Sequence, residues 1–356
     1  MARVISVIVL TGSGCNINCN YCYVAASRRN IKFFPVDKIS LLIENCAVDF
    51  DEIEFCWHGG EPLLAGIKFY QNVIDAQRVI SERTGVRFRN GIQSNGILLD
   101  REWISFLKNN NIGLGISFDA PPETHDVHRN GTSTKVLRAL SLLRDARFPY
   151  GAICVISQGN VHKAEEIFNF FMEKGASSYS FLPLKNVPMP YLPSAPTDQE
   201  LAELYAKTFD LWMSCPNQFR KIDPLYSMLL GLLGSKPPSC SFSAPCPENM
   251  IAIDQEGNIV PCGSLVEESF VLGNVFEESL SWVIQRSMEK FRNLRKIAIE
   301  THCQDCEFLS LCKGGCRADA YWATGHYEGA YPYCEARQIT FRYIQKQLCR
   351  IGVLNP

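Results

Sequence analysis

Residues 4–22 read VISVIVLTGSGCNINCNYC, and this stretch decides how the chain folds. The first seven residues are mostly β-branched and apolar, which predicts a buried strand over residues 4–10. The glycine-containing segment 11–14 ends that strand. Three cysteines follow at once, Cys15, Cys19 and Cys22, in a C-x3-C-x2-C spacing. The sequence therefore predicts three thiols on one short loop directly after a first buried strand.

The same strand pattern recurs along the first part of the chain, each time followed by a helical pattern. Predicted strands cover residues 4–10, 53–57, 86–93, 112–118, 153–157 and 179–184. Predicted helices cover residues 36–48, 69–80, 103–108, 135–143, 164–171 and 201–212. Six such units predict an α/β fold with a parallel sheet, which right-handed crossovers would curl into a partial (β/α)6 barrel of the TIM type. Functional groups of such barrels lie at the C-terminal ends of the strands.

Beyond about residue 231 the repeat stops, and prolines and cysteines become frequent. A short hairpin is predicted over residues 251–259, with Glu256 and Gly257 in its turn. We therefore expect a barrel over residues 1–233. Residues 234–356 would form a smaller cysteine-rich domain that ends in a helix.

Composition places the chain among globular proteins. With 46% hydrophobic and 20% charged residues, the 356-residue chain is expected to bury a core. A net charge of −2 without a basic run argues against a nucleic-acid partner. No apolar run of about 18 residues is present, so no membrane span is predicted. No secretory signal precedes the 16 clustered cysteines, which indicates metal centres in a reducing cytoplasm rather than disulfides.

The three cysteines of the first loop can bind three irons of a 4Fe–4S cluster and leave the fourth iron open. An open position is what distinguishes a catalytic metal site from a closed one. A zinc site with a distant fourth ligand is the alternative. The spacing after a first strand resembles the radical S-adenosylmethionine (SAM) superfamily. That resemblance implies that the open iron chelates SAM and that the reduced cluster cleaves it to a 5′-deoxyadenosyl radical.

Further motifs carry the resemblance at later strand ends. Strand two is followed by His58-Gly59-Gly60-Glu61-Pro62, and strand three ends with Gln93-Ser94-Asn95-Gly96. Five further residues of the pattern follow in order: Ser117, Asp119, His125, His128 and Arg129. The resemblance implies a SAM cradle of eight residues: Tyr23, Gly59, Gly60, Glu61, Ser94, Asn95, Ser117 and Arg129. In it Glu61 would contact the SAM amino group, Ser117 the ribose and Arg129 the carboxylate. The glycines would let the backbone approach the ligand. Tyr23 would pack on the adenine or belong to the core, and the two histidines would stabilise the loop or act in catalysis.

Eight cysteines in the C-terminal part resemble those of the SPASM domain, which carries two auxiliary 4Fe–4S clusters. They are Cys240, Cys246, Cys262, Cys303, Cys306, Cys312, Cys316 and Cys334. The resemblance implies one ligand set of Cys240, Cys246, Cys262 and Cys316. The other set would be Cys303, Cys306, Cys312 and Cys334. With the first loop this gives three 4Fe–4S clusters, and a pair of zinc ribbons is the alternative.

SPASM proteins mostly modify peptides or proteins. The leading hypothesis is oxidative modification or C–C, C–O or C–S crosslinking of side chains in a ribosomally made precursor peptide. Anaerobic sulfatase-maturing enzymes, which form formylglycine, are the alternative. They usually carry an aspartate base directly after the third auxiliary cysteine, where this chain has Gly263. A non-catalytic electron-transfer or scaffold protein is a third possibility. No catalytic side chain is assigned.

The expected partners are a precursor peptide or protein substrate and a flavodoxin or ferredoxin reductant. Because the first strand begins at Val4, we expect substrate recognition in the barrel, in the SPASM domain or in a separate partner.

Overall fold

The computed structural model describes residues 3–22, 32–185, 194–215, 220–243 and 246–355. The strands, numbered along the chain, are β1 (Val4–Gly12), β2 (Glu52–Gly59), β3 (Arg87–Ser94), β4 (Gly113–Ser117), β5 (Gly151–Ile156), β6 (Ser178–Pro183), β7 (Lys221–Asp223), β8 (Met250–Ile253), β9 (Asn258–Val260) and β10 (Gly273–Asn274).

The helices alternate with the strands of the first part and dominate the last part. They are α1 (Ile39–Ala47), α2 (Gly66–Thr84), α3 (Arg101–Asn109), α4 (Pro122–His128), α5 (Ser133–Asp145), α6 (Ala164–Lys174), α7 (Asp198–Met213), α8 (Leu225–Leu232), α9 (Leu280–His302), α10 (Leu309–Cys312), α11 (Arg317–Thr324) and α12 (Cys334–Arg350). No helix in the described ranges is both long and apolar enough to cross a membrane.

The strands form one sheet in the order β10-β9-β8-β1-β2-β3-β4-β5-β6-β7. Strands β1 to β7 pair in parallel in chain order, as repeated right-handed βαβ units require. The predicted α/β class and all six predicted strands are confirmed. Strand β7 was not predicted, because three residues carry too little alternation to be read as a strand.

Two glycines show how the short connections between helices and strands are made. Gly85 directly follows helix α2, and Gly175 directly follows helix α6. Both glycines have a left-handed backbone conformation, with φ of 78° and 76°. A residue with a Cβ is strained in that conformation, so glycine ends these helices and turns the chain toward the next strand. The buried faces of the helices then pack on large apolar side chains such as Trp57 and Phe118.

The predicted hairpin is present as β8 and β9, with its turn between Asp254 and Asn258. Strand β8 also pairs in parallel with β1, so that Ser6 faces Met250 and Val9 faces Ile253. The C-terminal part therefore extends the barrel sheet beyond β1. The division at residues 233 and 234 stays a prediction, because one continuous sheet crosses it.

Candidate active site

A cavity of about 290 Å³ lies at the C-terminal ends of the parallel strands. Its lining residues include Cys15, Cys19 and Cys22 of the first loop as well as Cys262 and Gly263. Six predicted cradle residues also line it, namely Gly59, Gly60, Ser94, Asn95, Ser117 and Arg129. Tyr23 lies outside the described residues. The structure thus brings the first cysteine loop, most of the predicted SAM cradle and one SPASM cysteine to a single cavity.

The glycines after β2 hold the cysteine loop. The backbone N–H of Gly60 donates to the carbonyl of Gly12 at 2.8 Å, and that of Glu61 donates to the carbonyl of Gly14 at 2.8 Å. A Cβ on Gly60 would lie 2.1 Å from the Gly14 carbonyl oxygen. Glycine is therefore required here because the loop before Cys15 packs on this backbone, a reason different from the expected approach to a ligand.

Glu61 is buried, with 1% of its surface exposed, and does not line the cavity. Its carboxylate accepts hydrogen bonds from the Ser94 hydroxyl at 2.8 Å and from the backbone N–H groups of Asn95 and Leu63. Burial raises the pKa of Glu61 to about 6, although these donors oppose the rise. The structure shows Glu61 fixing the end of β3. Its contact with the SAM amino group stays a prediction.

Asn95 connects the end of β3 to the cysteine loop. Its side-chain N–H groups donate to Asn16 Oδ1 at 2.7 Å and point to Cys15 Sγ at 3.8 Å. Its carbonyl oxygen accepts the N–H of Ile97 at 3.0 Å, which fixes the orientation of the amide. Glu61 therefore positions Asn95, and Asn95 positions the first cysteine of the loop.

A buried group of three side chains holds the other end of the loop. Arg129 donates from Nε and Nη2 to the Asp119 carboxylate at 2.9 and 3.2 Å, and the Tyr21 hydroxyl donates to Asp119 at 2.5 Å. Burial opposes ionisation of Asp119, but the Arg129 charge and these hydrogen bonds outweigh it and hold the pKa of Asp119 below its usual value. Tyr21 stands between two loop cysteines, and sequence reasoning missed it. The sequence signal that could have indicated its role was an aromatic residue between two cysteines of the loop.

Both histidines of α4 support this loop. His125 accepts the backbone N–H of Asp119 at Nδ1 and contacts the Thr132 hydroxyl at 3.1 Å. Burial and the neighbouring Arg129 charge lower the pKa of His125 to about 4, so the ring is neutral. His128 contacts the Ser157 hydroxyl at 2.9 Å. These contacts favour the loop-stabilising interpretation.

Three further residues of the cavity wall complete its polar and apolar surface. The Gln93 side-chain N–H donates to the Ser117 hydroxyl at 3.0 Å, which fixes both at the ends of neighbouring strands. Leu182 and Lys185 line the cavity near the end of β6. Sequence reasoning missed Leu182 and Lys185, although the rule that sites follow strand ends would have found them.

Four SPASM cysteines surround a second cavity of about 180 Å³. These are Cys303, Cys306, Cys312 and Cys334, which we call the distal set. The Arg337 guanidinium donates to Cys312 Sγ at 3.4 Å, and the Gln338 amide donates to Cys334 Sγ at 3.5 Å. The structure therefore brings together the four cysteines that were predicted as one set.

The other four cysteines, Cys240, Cys246, Cys262 and Cys316, are called the proximal set. Burial, followed by the nearby Cys262 and Cys240, raises the pKa of the Cys246 thiol to about 12. The pKa of the Cys316 thiol is raised by burial, by Asp319 and then by Cys262 and Cys240. These interactions place all four thiols near one another. Cys262 is also the member that lines the active-site cavity.

Both sets fit the iron–sulfur clusters that the sequence predicts. Within the described ranges, no group of three histidine, cysteine or carboxylate side chains lies close enough together to hold a single metal ion. Thiols are the ligands that iron–sulfur clusters use. Buried arginines stand beside them, and the Nε atoms of Arg295 and Arg317 have no acceptor among the described residues. An anionic cluster would provide the compensating charge.

Known proteins with similar sequences share this organisation. The chain matches the radical SAM superfamily over residues 9–171 and SPASM, an iron–sulfur cluster-binding domain, over residues 240–307. It is 26% identical over 322 residues to a cysteine-type anaerobic sulfatase-maturating enzyme of Clostridium perfringens, covering 86% of each chain. A serine-type anaerobic sulfatase-maturating enzyme of Bacteroides thetaiotaomicron is 25% identical over 364 residues, covering 94% of this chain and 87% of that one.

Solved structures share the fold. Native anSMEcpe with bound AdoMet and Cp18Cys peptide superposes with a TM-score of 0.87 at 23% identity, covering 98% of this chain and 99% of that one. Streptococcus suis SuiB bound to S-adenosylmethionine superposes with a TM-score of 0.64 at 16% identity, covering 92% and 76%. The two matched domains imply SAM and 4Fe–4S clusters as cofactors, with auxiliary clusters in the SPASM domain. The order of these domains and the shared fold establish that this chain is an enzyme of the radical SAM superfamily with a C-terminal SPASM domain.

Proposed function

We propose that this enzyme is a peptide or protein maturase that oxidises one substrate side chain by two electrons. We further propose that the side chain is a cysteine or serine and that the product is formylglycine. A serine gives the aldehyde directly, whereas a cysteine gives a thioaldehyde that water hydrolyses with release of hydrogen sulfide. The observation that supports this most is the shared cavity, which is lined both by the first cysteine loop and by Cys262 of the proximal set. The similarity to sulfatase-maturating enzymes over most of the chain favours formylglycine over crosslinking.

We assign Cys15, Cys19 and Cys22 to the SAM-binding cluster and the proximal and distal sets to the auxiliary clusters. With SAM bound, the clusters supply a radical that takes one hydrogen atom from the substrate and an acceptor for one electron, so that SAM is the net two-electron oxidant. The chain positions SAM with the six cradle residues on the cavity wall. Arg129 gives only Nε and one Nη2 hydrogen to Asp119, which leaves N–H groups for the SAM carboxylate.

The oxidation also releases a proton, and Gly263 has no side chain to accept it. No carboxylate is among the described residues that line the cavity. Asp254 accepts N–H groups of its own turn, and Glu267 accepts the Tyr321 hydroxyl. A crosslink also releases one proton, but this proton leaves an oxidised aromatic ring or a nucleophile that has already formed its bond, and water can accept it. The lack of a carboxylate therefore favours a second candidate function, in which the substrate radical attacks such a group of the same peptide and forms a crosslink.

A peptide assay distinguishes the two candidates. The enzyme is reconstituted anaerobically with iron and sulfide and then given SAM, a reductant and matched peptides with cysteine, serine or alanine at the target position. Formylglycine formation predicts an aldehyde that reacts with a hydrazine, and the serine peptide loses two hydrogens. A crosslink predicts loss of two hydrogens without an aldehyde, and here the peptide encoded beside the gene is the substrate to test. Absence of 5′-deoxyadenosine would instead favour the non-catalytic alternative.

The Gly263 position offers a sharper test of the same proposal. A Cβ there would meet Ile8 Cγ2 at 3.4 Å and Ala252 Cβ at 3.9 Å, which is ordinary contact. Gly263→Asp should therefore fit and should accelerate aldehyde formation, whereas Gly263→Ala should not. An aldehyde from the Gly263→Asp variant alone, and none from the natural enzyme, would contradict formylglycine formation and favour crosslinking.

A further inference from the structure

Arg337 connects the two auxiliary cysteine sets. It lies one turn into α12, whose first residue is Cys334 of the distal set. Its Nη1 donates both to Cys312 Sγ of the distal set at 3.4 Å and to the Ser241 carbonyl at 3.2 Å. Its Nη2 donates to the Ser241 hydroxyl at 3.0 Å. Ser241 directly follows Cys240 of the proximal set. One guanidinium therefore contacts a distal thiol and the backbone beside a proximal thiol.

The guanidinium is held rigidly in this position. The side chain is buried, and its central carbon lies 4.2 Å from the ring centres of both Phe242 and Tyr331. A planar guanidinium can stack between two aromatic rings, whereas a lysine ammonium cannot. No carboxylate in the described ranges forms an ion pair with Arg337. Its positive charge therefore acts on the thiols, on Cys312 of the distal set through a hydrogen bond and on Cys316 of the proximal set through space.

The two sets differ in the hydrogen bonds that their sulfurs accept. The distal set receives a cationic donor, Arg337, and a neutral side-chain donor, Gln338. In the proximal set, Cys262 Sγ accepts the backbone N–H of Ser264 at 3.4 Å, and Cys316 accepts that of Asp319. The Asp319 carboxylate acts on the thiols of Cys240, Cys262 and Cys316, and the Arg295 charge acts on those of Cys240 and Cys246. Hydrogen bonds to sulfur and nearby positive charge stabilise the reduced state of an iron–sulfur cluster and raise its reduction potential.

We propose that Arg337 raises the reduction potential of the cluster in the distal set above that of the cluster in the proximal set. An electron taken from the active-site cavity at Cys262 then moves away from it, toward the distal set. This inference rests on the proposed cluster ligands but not on the identity of the substrate. Arg337 is a positioning residue in this scheme, because it contacts a ligand sulfur and not the substrate.

Redox potentiometry of the reconstituted enzyme, followed by electron paramagnetic resonance without substrate, tests the proposal. In Arg337→Gln the reduced-to-oxidised ratio of one auxiliary cluster at a fixed potential should fall about tenfold, which is a shift of about 59 mV for a one-electron couple. The other clusters should shift less. Arg337→Lys keeps the positive charge but loses the stacked guanidinium, and the resulting shift in reduction potential should be smaller. Arg350→Gln is the matched control, because Arg350 is exposed at the far end of the same helix and donates to Gln347.

An unchanged set of potentials in Arg337→Gln with full iron content would overturn the proposal. If that variant loses iron, pulsed resonance on the natural enzyme labelled with 15N-arginine decides, because the contact predicts a weak nitrogen coupling to one reduced auxiliary cluster. Absence of the coupling would overturn the proposal. Because no peptide is present in either measurement, failure here leaves the proposed function standing, and failure of the peptide assay leaves this inference standing.

Discussion

The two cysteine-rich regions of this enzyme balance their buried charges in opposite ways. Beside the N-terminal loop, the buried Arg129 is neutralised by Asp119 within the protein itself. In the SPASM region the buried Arg295, Arg317 and Arg337 donate to backbone carbonyls or to a thiol. None of these three has a carboxylate within ion-pair distance among the described residues.

This difference indicates how each region is stabilised. The N-terminal loop carries its thiols on one short segment, and hydrogen bonds with the ends of β2 and β3 and with Asp119 hold that segment. The SPASM region collects its thiols from segments far apart in the chain around cations that the protein leaves uncompensated. We infer that anionic clusters complete the folding of the SPASM region and merely occupy a finished site in the barrel.

Iron removal should therefore produce the largest difference in folding between the two regions. Chelation under reducing conditions is expected to unfold α9, α11 and α12 while strands β1 to β6 stay protected. Metal binding supplies on the order of 10 kcal/mol to the folding of small metal-dependent domains. Hydrogen exchange followed by mass spectrometry measures this element by element. Equal protection of both regions after chelation would contradict the inference, as would equal loss.

Gly60→Ala should disturb the N-terminal loop alone. The added Cβ would lie 2.1 Å from the Gly14 carbonyl oxygen, so the loop must move away from β2. Displacing a positioned group by about 1 Å can cost about a hundredfold in rate, and we expect a loss of 5′-deoxyadenosine formation of at least about that size. Iron should fall from about twelve to about eight per chain. Gly263→Ala is the control, because Gly263 lines the same cavity and has room for a Cβ. This variant should keep both its 5′-deoxyadenosine formation and its iron content.

The parallel sheet and the first cysteine loop could be predicted because short-range sequence patterns encode both, whereas the two SPASM ligand sets followed from the resemblance to that family. Six repeats of strand and helix indicated the parallel sheet, and the C-x3-C-x2-C spacing marked the loop. The pairing of β8 with β1 could not be predicted, because it joins residues about 240 positions apart with no matching pattern. The hairpin was found as a local unit, but its place in the sheet was not.

The roles of individual site residues were less predictable than their presence. Glu61 and Gly60 were singled out as ligand contacts, yet the structure shows them contacting Ser94 and Gly14. A motif beside a site carries no information about which of its atoms face the ligand and which hold the backbone. Tyr21 was missed for the same reason, since only the fold places Asp119 next to it.

Arg129→Met tests whether the N-terminal region depends on its internal ion pair. The substitution leaves Asp119 charged, buried and without its partner, which is expected to cost about 3–5 kcal/mol of unfolding free energy. Arg83→Met is the matched control, because Arg83 pairs with Glu44 at the surface and such pairs contribute below about 1 kcal/mol. Urea unfolding followed by circular dichroism measures both. Similar losses in the two variants would show that the buried pair does not stabilise the loop.

Glu61→Gln is expected to have the smallest effect on stability. It isolates the change in unfolding free energy that comes from ionisation of one carboxyl group. The pKa of Glu61 is raised from 4.5 to about 6, so the stability it contributes is present in full below about pH 4.5 and is lost as the pH rises through 6. A shift of this size corresponds to about 2 kcal/mol. Between pH 5 and 7.5 the natural enzyme should lose about 1.2 kcal/mol more unfolding free energy than Glu61→Gln, because part of the full effect falls below pH 5. Urea unfolding of matched samples measures this difference. Parallel pH profiles would mean that burial does not oppose ionisation of Glu61, and the donors at Ser94 and Asn95 would then outweigh it.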